Sequence, residues 1–119
     1  MSRVGVVGSR DFNDYYCLSR HLSGFKISHI VSGGARGADS LAEKYAAEKK
    51  IPFTVFPARW EVYGKSAGVV RNKLIVEDSD FIVAFWDGSS PGTRHTINYA
   101  KEVGKKVYLV VDDVLSEAH

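Results

Sequence analysis

The sequence holds one cysteine, Cys17, which excludes an internal disulfide and any multi-cysteine zinc site. It has no apolar run near the ~20 residues of a membrane span. Nor is there a secretory h-region, since Met1-Ser2-Arg3 leads straight into a short apolar stretch. A cytoplasmic location without a membrane partner is the expectation. Charge of one sign is also lacking: 16 Lys and Arg against 14 Asp and Glu leave a formal net charge of +2. That falls short of the basic stripe of a dedicated nucleic-acid binder, so nucleic acid is not an expected partner. His21, His29, His95 and His119 show no metal-ligand spacing with one another or with Cys17. Neither a metal nor a cofactor is expected. Repeats and low-complexity segments are missing as well.

What remains is ordinary globular material, 45% hydrophobic and 25% charged over 119 residues. This suits one domain, residues 1–119. Arg3 to Val7 is an apolar run without polar alternation, the pattern of a strand buried on both faces. Asp11 or Asn13 is placed to cap a helix carrying Tyr15, Leu18 and Leu22, which Gly24 stops. Ser28 to Val31 reads as a second strand. Ala38, Leu41, Ala42, Tyr45 and Ala46 follow helical spacing, and Ser40 with Glu43 has capping-box spacing. Pro52 breaks that helix before a third strand, Phe53 to Phe56. An irregular aromatic connection, Ala58 to Gly68, precedes a helix to Asp78 with Val70 and Leu74 inward. Phe81 to Trp86 is the fourth strand. A glycine-containing turn, Asp87 to Thr93, leads to a helix ending near Val103, with Ile97 and Ala100 inward. Val107 to Val111 is the fifth strand, and residues 112–119 read as a frayed or short helical tail.

Strand alternating with helix predicts an α/β domain: a five-stranded parallel sheet, order 3-2-1-4-5, with helices on both faces. Ligands of such sheets bind beyond the carboxyl ends of the strands, where strand order reverses. The turns after strands one, two and four then share one rim. The second of them, Ser32-Gly33-Gly34-Ala35-Arg36-Gly37, ends a strand and opens a helix. Its glycines let backbone approach a ligand, and the helix N-terminus supplies unpaired N–H groups. An anion such as phosphate fits there, with Arg36 adding charge. The turn departs from the dinucleotide fingerprint, because Ser32 replaces the first glycine. The ribose-binding acid expected about 20 residues on is absent from Pro57-Ala58-Arg59. Gly64-Lys65-Ser66 likewise fails as a P-loop, because its leading glycine would fall at Arg59.

Taken together, Val7-Gly8-Ser9-Arg10-Asp11-Phe12, Ser32 to Asp39, Trp60 with Tyr63-Gly64-Lys65-Ser66-Ala67-Gly68, Arg71-Asn72, Asp80 to Trp86, and Gly92-Thr93-Arg94-His95-Thr96-Ile97 resemble one family. It is the YspA-like branch of the SLOG superfamily, which also holds the lonely-guy phosphoribohydrolases and the DNA-processing protein A fold. The resemblance implies a three-layer Rossmann-like domain that binds a nucleotide or an ADP-ribose-like or signalling ligand, with phosphates over the glycine turn. It also implies a homodimer. One position departs. The lonely-guy pattern P-G-G-x-G-T-x-x-E ends on a hydrolytic glutamate, and this chain has Thr96 there. Threonine is no carboxylate acid or base near neutral pH.

Candidate ligand-binding residues are Gly8, Ser9, Arg10, Ser32, Gly33, Gly34, Arg36, Gly37, Asp39, Arg71, Asn72, Asp87, Gly92, Thr93 and Arg94. Arg71 and Asn72 face the site if Val70 and Leu74 face the core. Trp60 and Tyr63 are base-stacking candidates or core aromatics. Asp11, Asp39 and Asp87 are the catalytic candidates if the protein is an enzyme; each also suits a turn or a helix start. Three functions follow. The first is a sensor or sequestering protein for a nucleotide-type small molecule. The others are an N-glycosidic hydrolase, nucleosidase or phosphoribohydrolase, and a single-stranded DNA binder.

Overall fold

A computed structural model describes residues 2–118. In chain order the elements are β1 (Ser2–Gly8), α1 (Tyr15–Leu22), β2 (Ile27–Ser32), α2 (Ala38–Lys49), β3 (Phe53–Val55) and α3 (Trp60–Tyr63). A 3-10 turn, Gly64–Ser66, joins α3 to α4 (Ala67–Glu77). Then come β4 (Phe81–Phe85), α5 (Pro91–Glu102), β5 (Lys106–Val111) and β6 (Val114–Ala118). The sheet order is β3-β2-β1-β4-β5-β6, and the first five strands pair in parallel. The strand alternation thus yields the expected order, which reverses between β1 and β4.

The tail is the main correction. Asp112 and Asp113 take left-handed φ of 51° and 62°, the conformation of a two-residue hairpin turn. The chain then doubles back as β6, antiparallel to β5, from Val111 opposite Val114 to Val107 opposite Ala118. The sheet is therefore six-stranded and mixed. His119, which the tail reading included, lies outside the described residues.

Alternation along β1 sends Val4 and Val6 to one face, where they pack with Leu18 and Leu22 of α1 and with Ala42 and Tyr45 of α2. Val7 faces the other way, toward Ile75 and Val76 of α4 and Ile97 and Ala100 of α5. Helices on both faces make three layers. Among the described residues, no helix is long and apolar enough to cross a membrane.

Three local expectations change. The α1 cap is Asp14, whose carboxylate accepts the Cys17 N–H at 3.0 Å, and not Asp11 or Asn13. The Ser40 hydroxyl donates to the Ala35 carbonyl, and the α2 cap is Gly37, so no capping box forms. In α4 the buried residues are Ala67, Asn72, Ile75 and Val76, whereas Leu74 is 41% exposed. The helix carries apolar residues on several sides, and packing against the sheet and α5 selects the face that includes Asn72.

Phe85 ends β4 fully buried, with the Phe12 ring 5.2 Å away. Phe85→Ala is expected to lower unfolding free energy by roughly 3–5 kcal/mol, read from urea denaturation midpoints at unchanged slope.

Candidate functional site

The turns after β1, β2 and β4 converge on Ser9, which is 5% exposed. Its N–H donates to the Phe85 carbonyl at 3.0 Å, and its carbonyl accepts the N–H of Phe12 and, at 3.3 Å, that of Ala38. Its hydroxyl oxygen accepts the Asp87 N–H at 3.1 Å. One residue thus ties three turns and the start of α2 together. Gly37 makes this possible. At φ 81° it lies so close that a Cβ would sit 2.4 Å from the Ser9 carbonyl oxygen and 2.5 Å from that of Arg10. Only glycine fits such a contact in that conformation.

A cavity of about 430 Å³ opens beside this junction. Its walls are Gly8 to Asp11 from the first turn, Ala35 and Asp39 from the second, and Asp87 and Ser90 to Thr93 from the third. Arg71, Asn72 and Ile75 of α4 and Thr96 of α5 complete it. The α5 N-terminus has Pro91 in its first turn and no side-chain cap, which leaves its first donors for an occupant of the cavity. A polar chain supports the floor. Arg71 donates to the Gly33 carbonyl and to the Asn72 side-chain oxygen, each at 2.9 Å. Asn72 reaches the Gly92 carbonyl at 3.3 Å, which also accepts the Thr96 hydroxyl at 3.1 Å. Gly33 is pressed under this arginine, and a Cβ there would lie 2.5 Å from a guanidinium nitrogen.

Asp39 is buried beneath the glycine turn and accepts the Ala35 N–H at 3.2 Å. Burial pushes its carboxyl above the ordinary carboxylate range, and the Ala35 N–H and the Arg71 charge oppose that rise. Burial likewise pulls the Arg71 guanidinium down, with Asp39 opposing. Part of the turn's anion-binding capacity therefore serves the protein's own carboxylate.

A second recess of about 420 Å³ adjoins the first across Arg10, Ala35 and Arg71. It adds Gly33, Gly34, Arg36 and Trp60, and no acidic side chain lines it. Trp60 is 56% exposed, so it is a surface aromatic at the recess and not a core residue.

The structure thus gathers most of the expected residues into one two-part cleft. Gly8, Ser9, Arg10, Asp11, Asp39, Arg71, Asn72, Asp87, Gly92 and Thr93 line the first part, and Gly33, Gly34 and Arg36 the second. Asn72 and Arg71 face it although Leu74 does not face the core. Four others stand apart. The Ser32 hydroxyl is buried and donates to the Val6 carbonyl at 3.0 Å. Gly37 is wedged against Ser9. Arg94 lies over the Trp86 ring and donates to the Gly88 carbonyl. Tyr63 is exposed and lines neither part.

The three acids differ sharply. Asp11 is at the rim, 92% exposed in its side chain and 3.6 Å from an exposed Arg36, a pair worth little. Asp87 accepts the Ser89 and Ser90 N–H groups, each at 2.8 Å, and these hold its carboxyl below the ordinary range. That makes it a turn-forming carboxylate and a poor acid. Asp39 alone is buried in the cavity. Sequence reading passed over Ser90, Pro91 and Ile75, which carry no distinctive chemistry. It also denied Cys17 and His21 a ligand spacing, although they are an i, i+4 pair on α1 and meet Asp113.

Sheet order, a cleft at the strands' carboxyl ends and a glycine turn opening a helix define a Rossmann-like domain. The chain belongs to the YspA, cpYpsA-related SLOG family, which residues 2–63 match. It is similar to the gene 61 protein of Mycobacterium phage D29, 37% identical over 116 residues, covering 87% of this chain and 92% of that protein. Over 60 residues it is 35% identical to the SPbeta prophage-derived protein YoqJ of Bacillus subtilis (strain 168), covering 50% of this chain and 30% of that one. Among solved structures, DNA processing protein A of Streptococcus pneumoniae superposes with a TM-score of 0.77 at 21% identity, over 90% of this chain and 49% of that chain. The Helicobacter pylori protein gives 0.69 at 20%, over 90% and 64%. At these identities the likeness is one of fold.

Two outcomes are expected. Arg71→Ala should cost about 1–3 kcal/mol by leaving Asp39 and the Gly33 carbonyl without their partner. Asp39→Asn in the same chain should recover part of that loss, as a double-mutant cycle in denaturant would read. For Asp87, a folded-state pKa below the usual 3.8 means stability present above that value and lost as pH falls beneath it. Acid unfolding of Asp87→Asn should show a flatter limb there; an unchanged limb would show that the carboxylate contributes nothing to folding.

Proposed function

We propose that the protein binds a nucleotide-derived ligand across the two-part cleft and holds it without turning it over, as a sensor or sequestering protein. The observation that carries this is the second recess. Arg10, Arg36 and Arg71 face one space with the Gly33-Gly34 backbone, and no carboxylate lines it, the exposed Asp11 reaching only Arg36, at 3.6 Å, from the rim. Arginine forks suit phosphate, and the exposed Trp60 indole beside them offers a flat face for a base. The first cavity then takes the hydroxyl-rich part of the ligand, with Asp39, Asn72 and the uncapped α5 N-terminus within its walls. Family membership supports a ligand of this class, ADP-ribose-like or a signalling nucleotide. A homodimer is part of the same reading, and light scattering of the purified chain checks it.

Asp39 favours a second reading, N-glycosidic hydrolysis. A buried carboxyl raised above its ordinary range inside a ligand cavity is the setting of a general acid. Against it, Thr96 turns its hydroxyl to the Gly92 carbonyl and offers no proton-transfer group. The single-stranded DNA binding mode of the Helicobacter pylori protein makes a third reading, which Trp60 and the three arginines also suit.

Calorimetric titration with AMP, ADP, ADP-ribose and a cyclic dinucleotide, followed by chromatography of the recovered ligand, separates these. One ligand bound and returned intact, with affinity at least about tenfold weaker in Arg36→Ala, is the expected result. Cleaved products would replace it with the hydrolase, abolished in Asp39→Asn. Salt-sensitive binding of an oligothymidylate in preference to every mononucleotide would replace it with the third reading.

A further inference from the structure

We propose that Cys17, His21 and Asp113 form a three-donor site for a divalent cation of the zinc class. Cys17 and His21 are four residues apart on α1, so their side chains share one face of the helix. Asp113 comes from the other end of the chain. The hairpin turn between β5 and β6 holds it at φ 62°, and its carboxylate reaches back across α1 to His21 Nε2 at 2.9 Å. The Cys17 sulfur, an imidazole nitrogen and a carboxylate oxygen all lie within 4.8 Å of one another.

The donor set selects the metal. Thiolate, imidazole and carboxylate together suit zinc and its neighbours, whereas calcium and magnesium take oxygen alone. Metal–ligand lengths of about 2.0–2.3 Å in a tetrahedron put donor atoms some 3.3–3.6 Å apart. To reach that spacing the His21–Asp113 pair, at 2.9 Å, opens slightly and the thiol, within 4.8 Å of both, closes on it, a change within reach of side-chain rotation in an exposed aspartate. Cys17 and the imidazole are already fixed: Cys17 is 3% exposed and the His21 side chain 9%. Asp113, 52% exposed in its side chain, is the mobile arm.

A plain clasp between hairpin and helix would need only the contacts of Asp113 with Arg20 and His21. Both of these fall on the same carboxylate oxygen, Oδ1. Cys17, itself a member of the apolar core, adds a thiol within reach of the same carboxylate, with open space beside it. A recess of about 340 Å³ is lined by Cys17 and Asp113 and runs to Ser9 and Asp87 at the edge of the nucleotide cleft. Three protein donors and an open fourth position distinguish an exchangeable or reactive metal site from a closed structural one. Arg20 stays on the carboxylate as an outer partner, as ligating carboxylates commonly have. On binding, the metal replaces the thiol hydrogen, and that proton leaves to solvent.

The test is titration of the reduced full chain with Co²⁺, followed by displacement with Zn²⁺. The expected result is a thiolate-to-cobalt band in the near ultraviolet with the visible bands of a four-coordinate ion, both erased by stoichiometric zinc. Cys17→Ser should abolish the ultraviolet band, and His21→Gln and Asp113→Asn should each weaken binding at least about tenfold, since even outer-shell changes do so. Circular dichroism checks that each variant is folded. Should Cys17→Ser fail to fold, the His21 and Asp113 variants still decide. Cobalt that binds without a thiolate band, or with a band indifferent to His21→Gln and Asp113→Asn, would overturn the site. So would no binding by the folded, reduced chain.

Discussion

The ligand edge depends on the packing of Gly37 against Ser9. Parallel strands deliver their turns to one rim, but a rim of three separate loops would splay. Here the backbone of the second turn lies directly on the carbonyls of the first, which Gly37 permits by lacking a Cβ. The Ser9 carbonyl then holds the first N–H of α2, and its hydroxyl holds the third turn through Asp87. Each bond is modest by itself, on the order of 1 kcal/mol net. Their value is positional, since they put three polypeptide turns at fixed distances before any ligand arrives, which lowers the cost of ordering them on binding.

That fastening also redistributes charge. A glycine turn at a helix start is expected to offer its donors outward to an anion. Here Asp39 takes the Ala35 N–H from inside, and Arg71 lies across Gly33 to balance the buried carboxylate. Beside it lies a recess lined by no acid, where Arg10, Arg36 and Arg71 meet Trp60, and the proposed binding reading puts the anion there. On the same reading, the cavity around Asp39 takes uncharged, hydrogen-bonding groups.

How much of this could be read in the chain follows from the range of the interactions. Strand order and the convergence of three turns were legible because they rest on apolar runs and glycine positions, which are local. Arg71 and Asn72 were picked out for the right edge, although the helix face was misjudged: Val69, Val70, Leu74, Ile75 and Val76 give no single stripe, and contact with the sheet and α5 decides. Ser32 was misjudged because a hydroxyl reads alike whether it meets a ligand or a neighbouring strand's carbonyl, here that of Val6. β6 escaped because its hairpin depends on two aspartates entering left-handed φ, a conformation usually announced by asparagine or glycine. The trio of Cys17, His21 and Asp113 spans nearly the whole chain, and only its helical half had a local signature.

The fold alone does not choose among the functions this architecture hosts. Superposition on DNA processing protein A extends over 90% of the chain at 21% identity, and a shared sheet can carry unrelated sites. The choice rests on single side chains at the rim. Thr96 is turned into its own helix, Asp87 is tied up in its turn and Asp11 faces water, which leaves Asp39 as the one carboxyl in a setting that favours proton transfer. Yet Asp39 already answers to Arg71 and the Ala35 N–H, two partners that must be released before it can act on a ligand. A carboxyl so engaged is better suited to shaping a binding surface than to cycling a proton, and the proposed binding reading relies instead on the arginines and the indole at the recess.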